Sequence, residues 1–169
     1  SNTGALTQMV GLSNYISLFT SETYLHSLGT TFLYTILTVP LTVVISLLLA
    51  VLSSSNLPGM GVFRTIFSST MGISVAAGSV FWNLLFHPTA GLLNRVVQWF
   101  GGEPIGWLTD TNFAVYSIAA VSIWMNIGFS YLVLMGGLIN IDDSHYESVE
   151  IVGGGFFYRL RKVTIPLIS

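Results

Sequence analysis

The chain has 169 residues, of which 52% are hydrophobic and only 7% charged, against roughly 25% charged in soluble domains. So few charges cannot solvate a globular surface, which favours the membrane class before any motif is read. The net charge of −2 argues against the basic face that nucleic-acid binding needs. The lack of cysteine excludes disulfides and thiolate metal sites.

Residues 1–31 are polar and glycine-containing, with no basic stretch ahead of an apolar core, so no secretory signal is expected there. Within them, Gly11–Phe19 sets Leu12, Tyr15, Ile16 and Phe19 on one helical face and Ser13, Asn14 and Ser17 on the other. Two readings stand for this short amphipathic segment: a helix lying at a membrane surface, or a terminal helix packed on the body. Phe32–Leu52 has no charged residue. At about 1.5 Å per residue it crosses a hydrocarbon core of about 30 Å. Pro40 lies inside it and predicts a kink, because neighbouring groups in a bundle can satisfy the carbonyl it frees. Ser53–Gly61 is a turn-rich loop.

Thr65–Phe86 lies between Arg64 and Arg95 and is again long enough to span. Ser68, Gly72 and Ala76 recur every four residues, a small-residue stripe that predicts close approach of another helix, with a pathway lining as the alternative. His87-Pro88 ends this stretch. Gly91–Phe100 then sets Leu92, Leu93, Val96, Val97 and Phe100 against a polar side of Asn94, Arg95 and Gln98, and Gly101-Gly102 stops it. This predicts a second interfacial helix, with Trp99 and Trp107 at headgroup level. Phe113–Ile139 is the third charge-free run, with Asn126 near its middle. An intramembrane Asn bonds a neighbouring helix or meets a passing polar solute.

The spacing thus predicts spans at about 28–53, 65–86 and 113–139, and the start of another from about 164. Three spans put Arg64, Arg159, Arg161 and Lys162 on one side and Arg95 on the other. The positive-inside rule makes the first side cytoplasmic, with loops 53–64 and 142–163 there and segments 1–27 and 87–112 outside. An N-terminus outside implies at least one earlier span in a longer protein.

Seven of the twelve charged residues fall between Asp142 and Pro166: Asp142, Asp143, Glu147, Glu150, Arg159, Arg161 and Lys162. Ser144 and Glu147 have capping-box spacing, which predicts a short helix from about His145 to Val152. Gly153-Gly154-Gly155 ends it, since glycine reaches positive φ without steric penalty. A second short helix is expected over Phe156–Lys162, and Pro166 is expected to open the next apolar run, where its missing N–H is harmless.

These residues resemble a known motif. Glu147-Ser148-Val149, then three residues, Gly153, nine residues, and Val163-Thr164-Ile165-Pro166 are similar to the EAA loop of ABC-importer permeases. The wider pattern resembles the carbohydrate-uptake branch, the maltose- and glycerol-phosphate-type permeases. It includes Gly61-x-Phe63-Arg64, Gly91-Leu92-Leu93-Asn94, Trp107-Leu108, Gly137-Leu138 and Tyr146-Glu147. Ser148 and Val149 stand where the family has alanines, Val152 where it has an acidic residue, and the usual Leu-Pro of the second span is replaced around Ser69-Thr70.

The resemblance implies an all-α integral membrane fold, the helix bundle of a type I importer permease with a cytoplasmic coupling helix, present here in part. It implies translocation of a sugar or related solute, coupled through Tyr146, Glu147, Ser148, Val149, Glu150, Gly153, Gly154 and Pro166 to a partner ATPase dimer. A second permease subunit and an extracytoplasmic solute-binding protein complete the expected partners, with lipid around them. Glu147 would anchor the loop in the ATPase groove through a charge-assisted hydrogen bond, or would only cap its helix. Arg159, Arg161 and Lys162 are either inside-positive anchors or ATPase contacts. No Gly-x-x-x-x-Gly-Lys-Ser/Thr loop is present, so ATP is expected in the partner, with no catalytic, cofactor or metal residue in this chain. Two rivals stand beside this reading. An ion-coupled carrier or channel predicts carboxylates, histidines or basic residues inside the spans, and the three spans hold none. A membrane enzyme finds only the scattered His26, His87 and His145.

Overall fold

The structure, a computed structural model, describes residues 12–54, 59–142, 149, 153 and 155–168. Among them there are helices and turns and no strand. Helix α1 (Ser13–Thr20) leads through Ser21 into α2 (Glu22–Ser53), α3 (Met60–Ser69), α4 (Val75–Leu85), α5 (Leu92–Trp99) and α6 (Ala114–Ile139). Two helices, α2 and α6, are long and apolar enough to cross a membrane, or three if α3 and α4 count as one bent span.

Helix α2 runs unbroken through Pro40. Its buried residues, Thr38, Thr42, Ser46, Ala50 and Ser53, follow at steps of four and three and so form one stripe. All are small, which lets the backbone of α6 come close. Polar atoms then bridge the two helices: Tyr34 Oη donates to Ser122 Oγ at 2.7 Å, Ser46 Oγ to the Ile127 carbonyl at 3.3 Å, and Ser53 Oγ pairs with Tyr131 Oη at 2.8 Å. These contacts rise in number along both helices together, so α2 and α6 run parallel. The chain between them must therefore return from the Ser53 end to the Tyr34 end.

That return is made by α3 and α4, which do not form the single rod expected over 65–86 but meet at 100°. The break has a local cause. Ser68, Ser69 and Thr70 turn their hydroxyls back onto the carbonyls of Arg64, Ile66 and Phe67 at 2.7, 2.7 and 2.9 Å, which competes with helix continuation. A 3-10 turn, Thr70–Gly72, follows. Ser74 then caps a new helix, accepting the Ala77 amide at 3.2 Å. The expected Ser68/Gly72/Ala76 stripe is not the packing surface: Gly72 and Ala76 are exposed, and a Cβ on Gly72 would meet nothing within 4 Å. The bend separates them. Close approach falls instead at Gly128 of α6, where a Cβ would meet Thr70 Oγ1, the Met71 nitrogen at 2.9 Å and the Phe67 carbonyl at 3.1 Å, and at Gly78 of α4, where it would meet Met125 Cε.

The turns after α4 are set by Asn94, which is 1% exposed. Its amide donates to the Pro88 and Ile105 carbonyls at 2.8 and 3.0 Å and accepts the Ile105 amide and the Trp107 indole N–H at 3.0 and 2.9 Å. The polar side predicted for α5 therefore loses its first member: Asn94 faces inward, because a buried loop backbone needs its donors and acceptors satisfied. Trp107 follows it into this cluster, while Trp99 is 85% exposed beside Phe100 at 83%. A Schellman closure ends α5, with Gly101 at φ 81 and the Gly101 and Gly102 amides on the Gln98 and Val97 carbonyls, both at 2.9 Å.

The protein exposes 12265 Å², where a compact soluble chain of 18.3 kDa exposes about 8,100 Å². The excess is apolar and lies along the helices, as at Phe32, Val39, Val44, Ile118 and Val133. The buried core is one cluster, Ala50, Tyr131, Met135 and Leu138, with Phe67, Ile141 and Ile168 against it. It sits at the ends of α2 and α6 from which the chain enters the elbow.

Candidate functional site

The elbow begins where α6 stops. Asn140 is its C-cap, and the Asn140 side chain donates back to the Gly136 carbonyl at 2.9 Å. Tyr146, Glu147, Ser148, Glu150 and Gly154, with the Ser144–Glu147 capping box, lie outside the described residues. Val149 is partly buried. Gly153 has φ 72 with open space around its Cα, the left-handed conformation that glycine adopts without penalty.

The chain after the glycines is one continuous helical segment: α7 (Phe156–Arg159), a π turn (Leu160–Thr164) and α8 (Ile165–Ile168). This corrects two expectations. The second short helix does not end near Lys162, and Pro166 does not open a new helix but lies within this one. The wide π turn immediately before it spreads the backbone where a proline lacks its N–H and its ring would crowd the preceding turn. Thr164 Oγ1 donates to the Arg159 carbonyl at 3.4 Å across that turn. Val163 and Thr164 are 7% and 2% exposed, whereas Arg161 and Lys162 face outward. Ile168 lies on α6 at Gly137, where a Cβ would sit 3.3 Å from Ile168 Cγ2.

One turn deeper is a polar cluster that the sequence reading missed. Ser53, the last residue of α2, is fully buried. Its hydroxyl lies 3.1 Å from the Ala50 carbonyl, 2.8 Å from Tyr131 Oη and 3.7 Å from Met135 Sδ. A hydroxyl has one proton, so when Ser53 donates to Ala50, Tyr131 is the donor to Ser53. The Ser53 carbonyl accepts two bonds from Arg64 of α3, Nε at 3.0 Å and Nη2 at 2.7 Å. A guanidinium on the terminal carbonyl of α2 satisfies an orphan acceptor and opposes the negative end of the helix dipole. Phe67 of α3 closes the cluster with its ring centroid 6.2 Å from that of Tyr131. The signals were visible in the sequence as a Tyr inside an apolar run and a lone Arg just past a helix end. Neither the positive-inside rule nor the Gly61-x-Phe63-Arg64 pattern says which carbonyl Arg64 bonds.

Among the described residues Asn126 bonds its own helix and no neighbouring one. It is exposed, and its Nδ2 donates to the Ser122 carbonyl of its own helix at 2.7 Å. Satisfied by the preceding turn, its side chain leaves its carbonyl oxygen for whatever lies outside α6. At the far end of α6, Trp82, Phe86, Trp107 and Phe113 wall a cavity of about 290 Å³. Among the described residues no group of His, Asp and Glu is placed to hold a metal ion.

A sequence profile of the binding-protein-dependent transport system inner membrane components matches residues 14–169. The chain is 28% identical over 160 residues to the trehalose/maltose transport system permease protein MalF of Thermococcus litoralis, covering 95% of this chain and 54% of that protein. It is 30% identical over 168 residues to the sn-glycerol-3-phosphate transport system permease protein UgpA of Yersinia enterocolitica, covering 98% and 56%. The chain thus spans about half the length of these relatives. Its fold superposes on a bacterial ABC transporter involved in the import of the acidic polysaccharide alginate, with a TM-score of 0.83 at 21% identity, over 96% of this chain and 58% of that one. With the match running through both long helices and the elbow, the chain belongs to the family of binding-protein-dependent transport system inner membrane components.

Proposed function

We propose that this chain is part of the membrane-crossing core of an ABC-importer permease, which carries a sugar or related polar solute and is driven through its elbow by a partner ATPase. The observation that carries the reading is the Glu147–Gly153–Pro166 spacing joined directly to the packed end of α6 through Ile168 and Gly137. The excess of positive residues puts the elbow in the cytoplasm. Tyr146 to Glu150 would seat in the ATPase groove, with Gly153 and Gly154 turning the chain and Pro166 carried within the helical segment that leads back to the bundle. Closure of the ATPase dimer would move the elbow and rock the bundle between outward and inward openings. Solute would be delivered by an extracytoplasmic binding protein and would pass between this permease and a second one, with Asn126 offering its amide oxygen to the path. ATP binds and is hydrolysed in the partner. The relatives' names, trehalose/maltose and sn-glycerol 3-phosphate, support a hydroxyl-rich solute.

The test is the complete transporter in proteoliposomes: this permease at full length, its second permease, the ATPase and the binding protein. ATP-driven uptake of radiolabelled maltose or sn-glycerol 3-phosphate is expected. Glu147→Ala and Gly153→Pro should each uncouple uptake from hydrolysis. If both variants kept full binding-protein-stimulated hydrolysis and uptake, the coupling role of the elbow would be wrong. Uptake that collapsed with an ionophore and ignored the ATPase would favour an ion-coupled carrier instead.

A further inference from the structure

We propose that Ser53, Tyr131 and Arg64 form a positioning joint that makes the elbow-side ends of α2, α3 and α6 move as one body. The inference rests on the importer reading above and goes beyond it, by naming where a push on the elbow is shared among the helices.

Force enters α6 through Ile168 and Ile141, which pack on the cluster of Leu138, Met135, Tyr131 and Ala50. Those three α6 residues lie at steps of four and three, on one face of the helix. In lipid, apolar side chains gain nothing by choosing a helix over an acyl chain, so greasy contact alone lets helices slide past one another. A directional bond shielded from water does not slide freely, since breaking it strands a buried donor or acceptor. One buried bond of this kind and two part-buried ones converge at one residue here. The Ser53 hydroxyl takes Tyr131 of α6 at 2.8 Å, and the Ser53 carbonyl takes Arg64 of α3 at 2.7 and 3.0 Å. Three helices are pinned through one fully buried side chain and its own carbonyl. A second contact between α3 and α6 lies one turn further on, at Gly128 under Thr70 and Met71. This fixes the direction in which α3 leaves the joint. Beyond it the helices are linked more sparsely, by Ser46 to the Ile127 carbonyl at 3.3 Å and Tyr34 to Ser122 at 2.7 Å. The joint is thus placed between the elbow and the part of the bundle that must open.

The test uses the complete reconstituted transporter with Tyr131→Phe, Ser53→Ala, the double variant, Arg64→Lys and Arg64→Gln. Radiolabelled maltose and sn-glycerol 3-phosphate are the solutes, and uptake is read per ATP hydrolysed. Tyr131→Phe and Ser53→Ala should each lower that ratio by roughly two- to tenfold, the range of one net hydrogen bond. Assembly and solute-free hydrolysis should be unchanged. The double variant should be no worse than the poorer single one, because both remove the same bond. Arg64→Lys should fall less than Arg64→Gln. Spin labels at Val62 and Ile139, which are 67% and 70% exposed, give the second readout. Their separation should stay narrow and equal with and without orthovanadate trapping in the parent, and broaden in the double variant. An unchanged ratio in the double variant overturns the inference, as does a parent separation that shifts on trapping. Uptake lost only in proportion to lost assembly assigns the cluster to folding alone and also overturns it. A parent complex without ATP-driven uptake refutes the importer reading instead, and is recognised because no variant is needed to see it.

Discussion

Gly128 gives the sharpest measurable consequence of the α3–α6 contact, and Gly136 on the same helix supplies its control. Replacing a mid-helix glycine by alanine removes backbone freedom from the unfolded chain and favours the helix by about 0.8–1 kcal/mol. At Gly136 a Cβ meets nothing within 4 Å, so Gly136→Ala should gain close to that amount. At Gly128 the Cβ meets Thr70 Oγ1, the Met71 nitrogen at 2.9 Å and the Phe67 carbonyl at 3.1 Å. Two of these three are backbone atoms, one in α3 and one in the 3-10 turn after it, which cannot swing aside as a side chain can. Overpacking of this kind costs about 1–3 kcal/mol, which outweighs the propensity gain. Gly128→Ala should therefore be less stable than Gly136→Ala by about 1–3 kcal/mol, since the propensity term is common to both. The assay is unfolding of the full-length permease in mixed detergent micelles against rising SDS fraction, followed by tryptophan fluorescence. Thr70→Ala added to Gly128→Ala should recover part of the loss, because it removes one of the three contacts. If Gly128→Ala proved as stable as Gly136→Ala, α3 would not press on α6 there. The close approach across the bend would then be wrong.

Three further outcomes follow from the same geometry. Asn94→Leu removes four hydrogen bonds and strands buried groups at about 1–3 kcal/mol each. The Ile105 amide should then exchange with deuterium many-fold faster, and Trp107 emission should shift to the red. Asn94→Asp keeps the two accepting contacts but turns a carboxylate towards the Pro88 and Ile105 carbonyls, so it should not restore protection. Gly153→Ala forces an L-residue to φ 72, at about 1–2 kcal/mol. Its uptake should fall while uptake by Gly155→Ala, where glycine has no positive φ, stays near the parent level.

That long apolar helices lie near 28–53 and 113–139 could be read from charge and apolarity, because a run such as Phe32–Leu52 has one plausible use, but α2 begins at Glu22, ahead of its apolar run. What escaped was which face of each helix packs. In a soluble protein the polar face points out and periodicity reveals it, but here lipid covers apolar residues and small polar ones turn inward. Thr38, Thr42, Ser46 and Ser53 were therefore overlooked as a seam, although they are the buried stripe of α2. The same inversion hid Asn94, placed on a polar face by helical spacing yet buried by the demands of a loop backbone 11 residues away at Ile105. The bend at Ile73-Ser74 was hidden for a different reason. Hydrophobicity continues through it, and only the hydroxyls of Ser68, Ser69, Thr70 and Ser74 mark it. At the elbow, the motif spacing placed the candidate residues. It did not show that Pro166 would be carried within a helix by a π turn.

The arrangement of contacts along α6 bears on how a push could be used. Its elbow-side half is held by a buried core, by the Ser53–Tyr131 bond and by the α3 backbone at Gly128. Its other half carries ring contacts to α4, Trp124 standing 5.7 Å from Trp82 and 6.1 Å from Phe81, beside the Tyr34–Ser122 bond to α2 at 2.7 Å. Ring contacts of this sort contribute about 0.5–1.5 kcal/mol each and tolerate offset and edge-to-face geometries alike, so they can re-pack at small cost. Buried hydrogen bonds and backbone-to-backbone contact tolerate far less displacement. The 100° bend between α3 and α4 falls at the boundary between the two regimes, next to Gly128 and Met125.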